Sequence, residues 1–482
     1  MNKGRKTFAA GCVAGLSLFL SWPYCVFSMA SLFADDAHGG ALNNLCWIVS
    51  LAVLVCALAV GCALGNRLDS ALEKPSVSFA AAAVQVAANA AMAVGGGIAG
   101  IFGEVVVVTG AAATGLATSL LHLCWGRRLG RLDPREVPVL VPVAYVAAFA
   151  ETLLVSLLPL DARLLVILVM ILAAGAILGL LAVAERKGRE STPPGRPYAA
   201  DEEEGAPRPG AFSKVLTLND YATLLFCFVS VSLVQDVYNP QRMVDSSMFA
   251  FVMLVAAVAA IVFVEVSLRM SRELTYDTVT RFLVPLCCLG LFLAAFLPRE
   301  LSFVAFAITF SSMMASIMFL WISGVLYQSL TTGGIARSLG VPLIVHYAGS
   351  LGGTLAVPLY GAFGVAQVLF LLAIVLCSLV ILRPRRSEAP APIVVPAYRD
   401  VRPEAVRRIA QRTGLTEREA EIFGLYARGR DSAYICETCF ISKNTVDTHL
   451  RHIYEKTGIR TKQGLIDLVE SVERELEEGC PE

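Results

Sequence analysis

The sequence predicts an all-α protein: a twelve-helix transmembrane bundle arranged as six plus six, followed by a small four-helix polar domain. Three observations carry this prediction. Hydrophobic residues make up 56% of the 482 and charged residues only 16%, with mean hydropathy +0.67, whereas soluble domains average about 25% charged. Apolar runs of about 17–25 residues, the length that crosses a bilayer as a helix, recur between polar breaks. After Leu382 the composition turns abruptly polar. An ordinary soluble enzyme and a disordered polar chain are excluded. With 39 Lys and Arg against 39 Asp and Glu, total charge names no partner, but its distribution does.

The first apolar run, near 7–33, follows Lys3, Arg5 and Lys6. Its apolar core is too long for a cleaved signal and no Ala-x-Ala site follows, so it reads as a span. Runs near 44–65, 77–96, 101–124, 138–158 and 164–184 complete a first half over 1–184; only Gly95, Gly96 and Gly97 separate the third from the fourth. The segment 185–219 holds Pro193, Pro194, Pro197, Pro207, Pro209 and the acidic run Asp201 to Glu204. Such a composition cannot bury a core and reads as a linker. The second half, 220–382, has runs near 220–238, 247–268, 279–297, 301–328, 341–361 and 364–382.

Lys and Arg set the orientation. With the N-terminus inside, inner segments up to residue 340 carry about 19 of them and outer loops about 3. Arg127, Arg128, Arg131 and Arg135 crowd one inner loop, and Arg383, Arg385 and Arg386 follow the last span. The expectation is a multi-pass protein of the cytoplasmic membrane, with both termini and the linker in the cytoplasm and the lipid bilayer as its first partner.

Polar groups at membrane depth are costly and mark candidate sites. Glu104 lies early in span four and Glu151 inside span five, while Gln85 and Asn89 are one turn apart in span three and share a face. These four are the candidates for binding a small-molecule ligand in a central cavity between the halves. Pairing with one another is the alternative. His122, Asp236, Glu265 and His346 are weaker candidates near span ends or glycines. Gly96–Gly100 and Gly349–Gly353 have the spacing that lets helices approach closely. All thirteen cysteines except Cys436, Cys439 and Cys480 lie in apolar segments, which does not describe a secreted disulfide framework.

Residues 383–412 are Pro-rich and charged and read as a tether with a short helix near 403–411. A compact stretch, 413–475, follows, and 476–482 is a tail. Thr416 and Glu419 form a capping box opening a first helix to about Arg428, with Leu415, Ile422, Phe423 and Tyr426 on its apolar side and Gly429 stopping it. Asp431 caps a second helix carrying Tyr434, Ile435 and Phe440. Ser442 or Asn444 opens a third, whose Val446, Leu450 and Ile453 face inward, until Gly458. Thr445, Asp447, Thr448, Arg451 and His452 are left outward. A fourth runs from about Lys462 to Glu475 with Leu465, Ile466, Leu468 and Val469. Cys436-x-x-Cys439 has no second pair nearby, so filler is preferred over a zinc site or thiol switch. No metal, cofactor or enzymatic activity is expected.

Two resemblances rest on these residues. Six plus six spans around a cytoplasmic linker resemble the major facilitator superfamily over roughly residues 1–382, by topology. In that family the loop between spans two and three carries a Gly, an Asp and several basic residues. Here Gly65, Asp69 and Lys74 match and the basic cluster is largely missing. The run Leu415-Thr-Glu-Arg-Glu-Ala-Glu, then Ile435, then Ser442-Lys-Asn-Thr-Val-Asp-Thr-His, then Lys456-Thr-Gly-Ile-Arg resembles the LuxR-type helix-turn-helix domain over about sixty residues.

The second resemblance implies that the third helix enters the major groove of double-stranded promoter DNA. Thr448 and Arg451 match base-facing positions of that family. Asp447 stands where the family often has Lys; a carboxylate accepts from cytosine N4 and repels phosphate. Lys443, Asn444, Thr445, Arg460, Thr461 and Lys462 are the expected phosphate contacts. The domain is slightly acidic in total, so Lys443, Arg451, Lys456, Arg460 and Lys462 must form one basic face. Homodimers pairing through the fourth helix, and RNA polymerase as a protein partner, are further implications. The expected function is a membrane-tethered one-component transcription regulator that senses a small molecule; the alternative is a transporter with a regulatory DNA-binding tail.

Overall fold

The computed structural model describes residues 3–28, 37–134, 136–191, 218–238, 246–271, 276–331, 334–381, 402–427, 435, 439 and 443–478. Among these, every regular element is helical. Two units separate, Met1–Val395 and Pro396–Glu482.

In the first unit, α1 (Lys3–Pro23) leads through a wide turn, Tyr24–Ser28, towards α2 (Ala37–Leu64). Pro23 closes the regular α-helical ladder, which widens into this turn; residues 29–33 of the expected span lie outside the described residues. A short α3 (Asn66–Leu72) precedes α4 (Pro75–Gly96), α5 (Ile101–Leu129), α6 (Val137–Ser156) and α7 (Leu160–Ser191). The second half holds α8 (Leu218–Tyr238), α9 (Ser246–Ser271), α10 (Tyr276–Phe296), α11 (Ser302–Leu326), the single turn α12 (Gly334–Ser338), α13 (Gly340–Ala356), α14 (Leu359–Phe363) and α15 (Val365–Ile381).

Nine helices among the described residues are long and apolar enough to cross a membrane, where the sequence predicts twelve. The other three predicted spans coincide with shorter apolar stretches, Ser246–Val262, Leu283–Phe296 and Val365–Leu379, inside α9, α10 and α15. Arg269, Arg272, Asp277 and Arg281 break the apolar pattern where α9 gives way to α10.

The bundle has an apolar interior and also an apolar exterior, unlike a water-soluble one. Ile101 is 80% exposed, and Phe102, Leu154, Leu165 and Leu180 are exposed on outer helix faces. Hydrocarbon side chains presented outward in such numbers match a lipid surroundings. Serine and threonine hydroxyls along the helices instead donate to their own backbone, as Thr309 does to Ala305 at 3.0 Å. α11 is the most enclosed span, carrying Trp321, Phe306, Phe310 and Phe319, all buried.

Close approaches fix the helix pairs. A Cβ added at Gly349 would sit 2.6 Å from the Phe228 Cβ, and one at Gly353 would sit 2.5 Å from that of Ser232. The stripe therefore seats α13 directly on α8. The Gly96–Gly100 pair does no such thing: Gly100 sits in the α4–α5 turn with φ +87° and nothing near its missing Cβ. Its spacing matched a packing motif by chance of position.

The two halves meet at the end of the bundle where α2 stops and α13 starts. The Asp69 carboxylate accepts from the Ile335 and Ala336 amides, each at 3.0 Å, capping the start of α12. Arg337 Nε donates to the Cys62 carbonyl at 2.9 Å. Beside this clamp, Arg127 pairs with Glu73 and Arg128 with Glu185, and Arg131 reaches Glu73 at 3.2 Å and Glu185 at 2.7 Å. Arg127, Arg128 and Arg131 thus serve a packed ionic network.

The second unit begins with α16 (Arg402–Thr413), followed by α17 (Glu417–Ala427), α18 (Lys443–Thr457) and α19 (Lys462–Glu478). The second predicted helix lies outside the described residues apart from Ile435 and Cys439, both buried in the core. Cys436, Gly429 and Lys443's side chain likewise lie outside them. The core joins Ile422 and Phe423 of α17, Val446, Leu450 and Ile453 of α18, and Leu465, Val469 and Val472 of α19. Two expectations change. Ala405 and Ile409 are buried in that core, so α16 belongs to the domain and not to a tether. Ile466 is only half-buried and Val472 takes the inward place, because positions 465, 469 and 472 keep one face.

Candidate functional site

α18 leaves Asp447, Thr448 and Arg451 of the predicted outward set exposed, while Thr445 and His452 are half-buried. Asn444 is exposed as well, and Val446, Leu450 and Ile453 anchor the helix from behind. The Thr448 hydroxyl donates back to the Asn444 carbonyl at 2.8 Å, which leaves its lone pair and methyl group for a base edge. Asp447, Arg451 and Arg460 share a groove of about 700 Å³ floored by Leu450, Tyr454 and Ile459. At the start of α19, Thr461 is exposed and its hydroxyl accepts from the Gly464 amide at 3.1 Å, an N-cap. Lys462 lays its ammonium 4.6 Å above the Tyr426 ring.

Lys456, expected on the basic face, and His452, expected outward, both reach Glu419 while staying partly exposed. Lys456 donates to Glu419 at 2.7 Å and to the Gly414 carbonyl at 3.0 Å, and His452 Nδ1 lies 3.5 Å from the other Glu419 oxygen. The predicted capping box completes this hub: the Thr416 amide donates to Glu419 at 2.8 Å and the Glu419 amide to the Thr416 hydroxyl at 3.3 Å. The sequence marks the box by spacing, but only the packing of α18 across α17 brings Lys456 to it.

Burial alone would raise the Glu419 pKa. The Lys456 ammonium and the Thr416 amide and hydroxyl outweigh it and hold the carboxyl down at about 2. A folded-state value below the unfolded one stabilises fully above the unfolded pKa near 4.5 and is lost as pH falls towards 2. Glu419→Gln is expected to cost the domain about 2 kcal/mol at neutral pH and to flatten its acid sensitivity between these limits. Hydrogen exchange of residues 402–478 in the full-length protein, corrected for intrinsic rates, reads both effects. Equal protection of wild type and variant at pH 6 would remove the hub from the account.

The membrane unit holds a second candidate site. A cavity of about 320 Å³ opens between the halves, lined from α1, α2, α5 and α6 on one side and α8, α11 and α13 on the other. It lies towards the ends of α1, α8 and α13, away from the Asp69 clamp. His122 is oriented by both ring nitrogens: Nδ1 lies 2.7 Å from the Thr118 carbonyl, and Nε2 lies 2.7 Å from the Tyr347 hydroxyl. A carbonyl can only accept, so Nδ1 carries the proton and Nε2 accepts from Tyr347.

The four predicted ligand residues are not brought together here. Glu104 is exposed in the first turn of α5. Glu151 accepts from Ser17 at 2.6 Å between α6 and α1. Gln85 and Asn89 are fully buried, with Asn89 donating to the Gln85 carbonyl at 2.8 Å and Thr118 donating to Gln85 Oε1 at 3.1 Å. None of the four lines the cavity; Gln85 reaches it only through Thr118. Three weaker candidates, His122, Asp236 and His346, do line it. Glu265's side chain lies outside the described residues. The aromatic wall, including Trp22, Trp47 and Tyr145, gives no sequence signal, since aromatics near span ends are common at membrane interfaces.

Comparison with known proteins separates the two units in the same way. The model of bacterial regulatory proteins of the luxR family matches residues 413–469. The C-terminal unit carries a LuxR-family helix-turn-helix domain. The transcriptional regulatory protein MctR of Rhizobium johnstonii is 44% identical over 52 residues. That match covers 11% of this chain and 24% of the relative, so the chain spans about a quarter of that protein's length.

Outside this LuxR-family domain the likeness is one of fold. A bacterial homologue of the iron transporter ferroportin, in its outward-facing state, has TM-score 0.53 at 12% identity, covering 79% of this chain and 99% of that one. The proton:xylose symporter XylE of the major facilitator superfamily has TM-score 0.53 at 11% identity, over 78% and 94% of the two chains. The human organic anion transporter MFSD10 has TM-score 0.53 at 13% identity, over 79% and 99%. The membrane unit therefore has the fold of major facilitator transporters, and the chain is a multi-pass membrane protein joined to a LuxR-family DNA-binding domain.

Proposed function

We propose that this protein is a membrane-tethered, one-component transcription regulator of the cytoplasmic membrane. Its LuxR-family domain reads promoter DNA, and its membrane unit senses a small molecule and alters that reading. The observation that carries the proposal is the pairing, in one chain, of an exposed helical face bearing Asn444, Asp447, Thr448 and Arg451 with an inter-half cavity. The positive-inside count supports both termini in the cytoplasm, where promoter DNA is. Pairing of two copies through α19 would raise the affinity of a domain with few unpaired basic groups, and RNA polymerase is the protein partner such a regulator needs.

The test is genome-wide crosslinking of the full-length protein to DNA. Discrete peaks upstream of genes are expected. Occupancy indistinguishable from that of an untagged strain would sink the regulator and favour the second reading, a transporter whose tail binds another protein. That second reading draws on the transporter fold and the cavity, and it predicts flux of a substrate across the membrane.

A further inference from the structure

We infer that the inter-half cavity takes a small aromatic amine: a flat apolar body carrying one cationic nitrogen, held against Asp236. This deepens the sensing reading by naming the ligand class, and rests on it only for the consequence of binding.

The charge of the lining is one-sided. Asp236, half-buried near the end of α8, is the one formally charged side chain in the wall among the described residues, and no Lys or Arg joins it there. A carboxylate half-buried among apolar and aromatic groups is costly unless a counter-charge meets it. A cationic ligand supplies one, whereas an anionic ligand would face Asp236 with no lining Lys or Arg among the described residues to offset it.

The shape and surface of the wall select the rest of the molecule. Tyr24, Phe27, Trp47, Phe310 and Tyr347 all line it; Tyr24 and Phe310 meet edge-on, and Phe27 and Trp47 meet at a tilt. Ring faces attract flat apolar bodies by stacking and cations through their quadrupole. A volume of about 320 Å³ suits one or two fused rings with a short side chain.

Three buried polar atoms on the same wall lack partners. Trp22 Nε1 on α1, Thr114 Oγ on α5 and His346 Nδ1 on α13 make no hydrogen bond, and their residues are 2%, 1% and 8% exposed. Native interiors seldom leave such groups unsatisfied. Coming from both halves, they mark a place where a bound molecule, or water it displaces, completes the hydrogen bonding.

The test uses the full-length protein in lipid nanodiscs and three matched probes: tryptamine, neutral indole and anionic indole-3-acetate. Binding is read by tryptophan-independent calorimetry on wild type and Asp236→Asn. Tryptamine is expected to bind at least tenfold more tightly than indole-3-acetate. Asp236→Asn is expected to remove that preference while leaving indole binding intact, which also reports that the variant is folded. Indole-3-acetate binding as tightly as tryptamine, no binding by any probe, or an undiminished preference in Asp236→Asn would each overturn the assignment. Promoter occupancy in cells given tryptamine tests the sensing reading separately: Asp236-dependent binding with unchanged occupancy keeps the ligand class and removes the sensing.

Discussion

Replacing Thr448 and Arg451 together by alanine is expected to remove promoter binding by the full-length protein. Both side chains are exposed on α18. A well-made base contact is worth about 1–3 kcal/mol, so losing two costs about 2–6 kcal/mol, a loss of thirtyfold or more in affinity. Because neither residue is in the core, stability should shift by no more than about 0.5 kcal/mol. Val446→Ala gives the contrast. Val446 is fully buried, so that variant weakens the fold as well as binding. Quantitative promoter retention beside hydrogen exchange of residues 443–478 separates the two cases. Wild-type retention by the double variant would move base reading away from α18.

Substituting Gly334 with alanine is expected to be the most damaging single change in the membrane unit. Gly334 holds φ +55°, which costs an L side chain about 1–2 kcal/mol. Its missing Cβ would stand 1.7 Å from Asp69 Oδ2, so the carboxylate must leave the Ile335 and Ala336 amides. Losing those two charge-assisted bonds adds about 3 kcal/mol or more. The clamp between α3 and α12 should open, lowering the thermal midpoint in detergent. Cys62, whose thiol now donates to the Ala336 carbonyl at 3.1 Å, should become more reactive to alkylation. Asp69→Asn should do the same more mildly. An unchanged midpoint with unchanged Cys62 labelling in Gly334→Ala would show that the clamp does not hold the halves together.

These two predictions differ in how they could be found. The α18 face follows from the sequence, because Val446, Leu450 and Ile453 fix one side of a single helix and so fix the other. The Gly334–Asp69 contact does not, since it joins positions 265 residues apart in sequence (334 minus 69). The resemblance of the Gly65–Lys74 loop marked Asp69, but nothing local says what its carboxylate meets.

What the sequence by itself determined was local or additive: apolar helices from apolar length, the Thr416–Glu419 box, and the inward face of α18. Each depends on residues within a turn or two of one another, or on composition summed over a segment. Tertiary structure decided where groups from different helices converge. It brought Lys456 and His452 to Glu419, put α16 into the domain core, and left Glu104 on the exposed first turn of α5. It also placed Asp236, His346 and His122, and none of Gln85, Asn89, Glu104 and Glu151, on the wall of the inter-half cavity. A buried polar residue announces only that it needs a partner; which of several helices supplies it is set by how the helices pack, and helical periodicity carries no information about that.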